Sequence, residues 1–211
     1  MARQPQGLRP VFLAPVTLEN QFVRLRPFVP GADGAELYAL ADRAPEIFRL
    51  WSFRGPGDWV GAWAESIRRR TEDGTMIAFA AERPHDNAFL GITSFLDPSE
   101  VNKSVEIGMT CYAPEAQGTR VNPSAKRLLM AHAFEAWGAR RVQYQVDNRN
   151  ERSKAAVLKL GGKLEGVLRN HRTLPDGFVR DTAFFSILDT EWPEVKARLD
   201  ARIAAAEVAA P

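Results

Sequence analysis

Val105-Glu106-Ile107-Gly108-Met109-Thr110 and, past a short loop, Gln117-Gly118-Thr119-Arg120-Val121-Asn122 decide how the rest of the chain reads. The first run alternates as a strand does, with Val105, Ile107 and Met109 on one face and Glu106, Gly108 and Thr110 on the other. The second run opens a helix. Asn122 reads as its N-cap and Pro123 as its first helical residue, while Met130, Ala133, Phe134 and Trp137 share its apolar face. A strand feeding through a loop into a helix N-terminus offers orphan backbone N–H groups and a positive dipole end, which together form a cradle for pyrophosphate. The loop has neither the Gly-Lys-Ser/Thr ending of a P-loop nor a Gly-x-Gly-x-x-Gly pattern, so nucleoside triphosphates and dinucleotides fit it poorly. Lys126 and Arg127 lie early in the helix, where positive charge opposes the dipole unless an anion is near.

Downstream, Gly138 sits where a left-handed residue ends a helix, and Arg141 to Val146 reads as a strand. Asn150 caps a helix running to Leu160 and closed by Gly161-Gly162. A hairpin follows, Lys163 to Leu174 and Phe178 to Leu188 about the turn Pro175-Asp176-Gly177, and a last helix starts near Trp192. Upstream, Met76 to Glu82 and Phe89 to Leu96 flank the turn Pro84-His85-Asp86-Asn87, and Lys103 to Tyr112 is the third strand of that group. Val16 to Phe28 is extended. Asp33 caps a helix carrying Leu37 and Leu40, and Asp58 caps another that ends near Gly74. Between those helices Trp51, Phe53, Trp59 and Trp63 crowd around Gly55-Pro56-Gly57. The prediction is a mixed α/β (α+β) fold with a mostly antiparallel sheet and helices on both faces. Residues 1–15 form a loose arm and residues 16–211 a single domain.

Composition narrows the function. The chain has 211 residues, 45% hydrophobic and 26% charged, which suits a globular domain with a sizeable core. Its 28 Lys and Arg against 26 Asp and Glu leave a net +2, and the basic residues are dispersed, so nucleic acid is not the expected partner. Cys111 is the only cysteine, which excludes an intramolecular disulfide and a Cys-rich zinc site. The three histidines, His85, His132 and His171, lack metal-ligand spacing, so no metal is expected. No apolar run approaches the ~18 residues of a membrane span, and Pro10 and Pro15 spoil a signal peptide. The expected setting is soluble and cytoplasmic, away from membranes.

In combination, the strand order, the Gln117 loop after the Glu106 strand, and Asn150-Glu151-Arg152-Ser153 before a helix ending in Gly161-Gly162 resemble the GNAT N-acetyltransferases. The likeness runs from about Thr17 to Leu199 and is nearest the RimJ/RimL-type branch, which acetylates protein N-termini. It implies a sheet whose central strands splay apart, with acetyl-CoA as cosubstrate and no metal. The acceptor it implies is an amine, either a protein N-terminus or a small molecule; a homodimer stays open. By match, the backbone of Ile107, Gly108 and Met109 pairs with the pantetheine arm, and Asn150 bonds it. The pyrophosphate meets the loop of Gln117, Gly118, Thr119, Arg120, Val121 and Asn122. Ser153 matches a position that serves as general acid in some members, whereas Val157 and Leu158 stand where a frequent tyrosine acid is absent. Arg120 and Asn122 replace two small residues of the family loop, and Arg120 is expected to reach a CoA phosphate. The family's first helices wall the acceptor site, which makes Trp51, Phe53 and Trp59 candidate substrate contacts, with Arg172 and Asp181 as further residues on that side.

Elementary chemistry gives the same assignments a reason. An amine is protonated at neutral pH and must lose a proton before it attacks, so Glu106 is the candidate base. The departing thiolate takes a proton or a hydrogen bond from Ser153, and a backbone N–H near Met109 faces the developing oxyanion. Each residue also has a plainer use: Glu106 as a solvated strand residue, Asn150 as a cap, Ser153 as a first-turn serine, and Arg68-Arg69-Arg70 as a solvated helix face. Cys111 reads as a small buried residue. The expected activity is acetyl transfer from acetyl-CoA to a primary amine; the competing reading is a non-catalytic acyl-CoA-binding sensor or interaction module of the same fold.

Overall fold

In the computed structural model, residues 14–51 and 57–208 are described, which leaves most of the expected N-terminal arm and Phe53 outside the described residues. The chain runs β1 (Leu18–Glu19), β2 (Arg24–Pro27), α1 (Pro30–Arg43), α2 (Trp59–Glu72), β3 (Met76–Glu82), β4 (Phe89–Ser99) and β5 (Ser104–Tyr112). It continues α3 (Val121–Ala131), β6 (Arg141–Asp147), α4 (Glu151–Leu160), β7 (Lys163–Thr173), β8 (Val179–Leu188) and α5 (Trp192–Val208). The strands form one sheet in the order β1-β2-β3-β4-β5-β6-β8-β7. Every neighbouring pair is antiparallel except β5 with β6. The mixed, mostly antiparallel sheet is therefore the one expected. Among the described residues no helix is long and apolar enough to cross a membrane.

Two cores lie on the two faces of the sheet. Leu129 and Met130 of α3, Val157 of α4 and Leu199 of α5 pack with Phe95, Ile107 and Val142 on one side. Leu37 and Leu40 of α1 and Trp63 and Ile67 of α2 pack with Met76, Ala78 and Ile92 on the other. Helices on both faces let β3 bury every one of its residues, as its nearly unbroken apolar sequence requires.

Caps set the helix ends. Asp58 Oδ1 accepts from Gly61 N–H at 2.8 Å and starts α2 as expected. Asn150 Oδ1 accepts from Ser153 N–H at 3.0 Å and starts α4, which ends at Gly161 with φ +102°. Two starts differ from the sequence reading. Helix α1 begins at Pro30 rather than after Asp33, and the Asp33 carboxylate instead accepts from Val29 N–H (2.6 Å) and from Arg26 (2.7 Å). Proline at the first helical position costs nothing, since its missing N–H would be an orphan there. Helix α3 begins at Val121, whose N–H finds the Thr119 hydroxyl (3.2 Å), so Asn122 lies in the first turn and is not the cap.

The sheet opens where β5 meets β6. They pair only over Ser104–Arg141, Val105–Val142 and Glu106–Gln143, after which β6 continues its pairing with β8 alone, out to Asp147. Beyond Glu106 the two parallel strands diverge, leaving a wedge between Ile107–Tyr112 and Tyr144–Asp147. A bulge lies on the same stretch: Ser94 pairs with Gly108 and Ile92 with Cys111, so Met109 and Thr110 together oppose Thr93. Met109 holds φ +48°, a left-handed conformation that an L side chain adopts at a cost of ~1–2 kcal/mol. The extra residue reverses the alternation. Ile107 faces the α3 side, whereas Met109 and Cys111 pack on the α1–α2 side, so the single face expected for Val105, Ile107 and Met109 does not extend past Gly108.

Candidate active site

A cleft of about 380 Å³ occupies the wedge and passes through the sheet from the start of α3 to the α1–α2 side. Glu106, at the head of the wedge, is buried, with 6% of its surface exposed. Its Oε2 accepts from Gln145 Nε2 at 2.5 Å, and the other end of that amide, its oxygen, accepts from Arg172 Nη2 at 2.9 Å. Burial pushes the Glu106 carboxyl up to about 7, against the pull of the Arg172, Arg70 and Arg180 guanidiniums. A carboxyl that changes charge near neutrality suits proton transfer. The missing side chain of Gly108 makes room for this group: a Cβ there would lie 2.8 Å from Glu106 Oε1 and 2.8 Å from Leu96 Cδ1. The protein fills that space with its own side chains.

At the other end of the cleft the loop before α3 is braced from two sides. Gln117 Nε2 donates to the Tyr112 carbonyl at 2.8 Å, and Gln117 Oε1 accepts from Arg152 of α4 at 2.7 Å. Gly118 turns the chain at φ +74°, a conformation glycine adopts without penalty. Gln117, Gly118 and Asn122 line the cleft, as do Asn150 and Ser153 at the start of α4. Asn150 thus serves as cap and cleft wall together. Three expected loop residues lie off the lining. Thr119 spends its hydroxyl on the Ala116 carbonyl (2.7 Å) and Val121 is in the core. Arg120 keeps an ordinary backbone (φ −73°) and stacks its guanidinium over Phe22, 4.9 Å from the ring centre, rather than pointing into the cleft.

On the α1–α2 side Trp51 reaches the cleft, whereas Trp59 packs on Phe48 (5.1 Å between ring centres) and does not line it. Arg172 of β7 lines the cleft; Asp181 accepts from Asn170 N–H (2.8 Å) and faces elsewhere. The Arg68–Arg70 run divides. Arg68 bonds Glu65 and Glu72 on the outer face of α2, but Arg70 lines the cleft beside Asp97 (2.8 Å), which corrects the reading of all three as a solvated face.

Several lining groups have surroundings that the sequence reading does not give, Lys126 among them, which reads there only as a charge early in its helix. Lys126 is 5% exposed, and its ammonium donates to the hydroxyls of Thr110 (2.5 Å) and Thr93 (3.0 Å). Burial pulls it down to about 7. The phenols of Tyr112 and Tyr144 are buried in the lining without a partner among the described residues, and burial pushes both up, so they stay protonated. An isolated basic residue or tyrosine carries no periodic signal; only the i, i+4 spacing of Asn122 and Lys126 places both on one side of α3. Cys111, buried and pushed up to about 12, is no nucleophile.

The "Acetyltransferase (GNAT) domain" family matches residues 23–163, which include β5, its bulge, the α3 loop and α4. The chain is 31% identical over 108 residues to the "Putative ribosomal N-acetyltransferase YdaF" of Bacillus subtilis (strain 168), covering 51% of this chain and 58% of that protein's length. Two solved structures superpose well. The crystal structure of a "putative acetyltransferase" from T. thermophilus is 36% identical with a TM-score of 0.80, covering 89% of this chain and 97% of the other. A GCN5-related N-acetyltransferase from Brucella melitensis is 27% identical with a TM-score of 0.80, covering 94% and 87%. A family match over residues 23–163, which take in β2 to α4 and the wedge between β5 and β6, settles the family: this chain belongs to the GNAT acetyltransferases.

Proposed function

We propose that the chain is an acetyl-CoA-dependent N-acetyltransferase that delivers the acetyl group to a primary amine, a protein N-terminus or a small molecule, by direct attack. The observation that carries this reading is the buried Glu106 carboxyl, poised near neutrality at the head of the wedge. Bound in the cleft, acetyl-CoA supplies an activated thioester. The wedge fits its pantetheine arm, because the β5 backbone from Ile107 to Met109 faces an opening where β6 has turned away. Gln117, Gly118 and Asn122 at the start of α3 suit the pyrophosphate, with positive charge beside them from Arg152, which holds Gln117 Oε1 at 2.7 Å. Thr119 and Val121 serve that loop by shaping it, and Arg120 by closing its outer side over Phe22.

Glu106 takes the proton of the incoming ammonium, and Gln145 keeps the accepting oxygen aimed. Ser153, on the cleft wall, donates to the departing sulfur; Tyr144 brings a protonated phenol into the same cleft from β6. The non-catalytic reading draws on one observation: at the expected position of the family's tyrosine, Val157 is in the core and Leu158 faces outward. Thiol release from acetyl-CoA, followed across an amine panel, separates the two. Release that needs an amine and yields its acetylated product is expected. Binding of acetyl-CoA without release in the presence of any amine would instead establish the sensor.

A further inference from the structure

Lys126 has no part in the proposed transfer, yet it lines the same cleft beside Met109 and Thr110. From α3 it reaches the bulge in β5, where the hydroxyls of Thr110 and the buried Thr93 lie 2.8 Å apart. The Lys126 nitrogen stands 2.5 Å from the first and 3.0 Å from the second. No carboxylate of the described residues acts on its charge; burial alone does. An ammonium buried on two hydroxyls is poorly compensated, and with Lys126 pulled down to about 7, neutral amine and ammonium coexist near neutral pH.

The neutral form is set up to react. Thr110 donates to the Gly108 carbonyl at 3.4 Å, which leaves Thr93 as the donor between the two hydroxyls. Both hydroxyl hydrogens are then spent, and the two hydrogens of a neutral Lys126 satisfy the Thr93 and Thr110 oxygens. The remaining tetrahedral direction of the nitrogen carries its lone pair, which no donor among the described residues meets. A lysine that sheds its charge in a dry site is a nucleophile for carbonyl carbon. Thr110 adjoins Met109, the expected backbone contact of the reacting carbonyl, so this nitrogen and the proposed seat of the thioester share a wall of the cleft.

Resting on the acetyl-CoA reading of the cleft, we propose that Lys126 is a site of self-acetylation, modified from the thioester in its own cleft when no acceptor amine takes the acetyl group. The Lys126 nitrogen attacks the carbonyl carbon, and the C–N bond forms as the C–S bond breaks. The electron pair leaves on sulfur, the surplus proton passes from nitrogen to the thiolate, and the products are Nε-acetylated Lys126 and CoA. The test incubates the full chain with acetyl-CoA and no amine, and follows each lysine by peptide mass spectrometry. The exposed Lys159 and Lys163 report uncatalysed acetylation. Lys126, only 5% exposed, is expected to react about tenfold or more faster than either, because bound reactants gain effective concentration. Its rate should saturate with acetyl-CoA and fall when CoA competes, both read on the unaltered protein, and Lys126→Arg should lose that acetyl group alone. An unmodified Lys126, or a rate linear in acetyl-CoA and indifferent to CoA, would overturn the inference. Thiol release with added amines would in that case leave the transferase reading standing. No release with any amine and no acetyl group on Lys126 would overturn both.

Discussion

Glu106 and Lys126 are two buried ionisable groups whose ordinary charges the protein disfavours, one on each side of the opened strands. For Glu106 the sign is definite. Its folded value lies above the unfolded one, so the folded chain holds that proton more tightly and loses stability as pH rises from about 4.5 to about 7. Glu106→Gln removes this penalty, so the variant should melt higher than the parent at pH 8, with the gain shrinking towards pH 5. The same substitution should lower kcat by about 10²-fold or more with little change in acetyl-CoA affinity, and abolish a rise of kcat/KM through about pH 7. A pH profile unmoved by the substitution would make Glu106 a structural residue. Its place on the strand is legible from alternation. Its burial is not, because the Leu96 and Gln145 side chains around it come from other strands. Arg70 shows the same limit: three consecutive arginines look alike in sequence, and only the helical period, set against the sheet, turns one of them inward.

At the scale of elements, the start of α4 concentrates two roles in four residues. Asn150 caps through Ser153 N–H, so Asn150→Ala should cost about 1 kcal/mol of stability and weaken acetyl-CoA binding. Ser153→Ala keeps that N–H, so its melting temperature should stay near the parent's while its turnover falls, by a smaller factor than in Glu106→Gln. Full turnover in Ser153→Ala, measured beside its melting curve, would return the serine to an ordinary first-turn residue. Asn150 and Gly161 are readable in advance because caps are local chemistry, decided by a side chain and a backbone angle within one turn. The start of α3 lies earlier than its sequence suggests because the Thr119 hydroxyl takes the first N–H. The bulge in β5 leaves no mark at all. Met109 adopts a left-handed backbone where a glycine would have signalled one, and the energy comes from the packing of Cys111 and Tyr112 on opposite cores.

Across the whole molecule, one sheet is covered by two unequal helical layers and parted where its one parallel pair gives out. Order and direction of the strands follow from hairpin turns and helix signals. The wedge follows only from likeness to a family, since three paired residues followed by divergence is a property of β6 leaning towards β8 and not of any local stretch. The arginines at the Glu106 end of the cleft come from α2, β7 and β8 and meet only in the folded chain. The central claim is that this wedge seats acetyl-CoA. Amide hydrogen exchange with and without saturating acetyl-CoA tests it most directly. The account predicts slower exchange concentrated in Ile107–Tyr112, Gln117–Asn122 and Asn150–Ser153. Unchanged exchange in those three segments, or protection confined to a different part of the sheet, would contradict it.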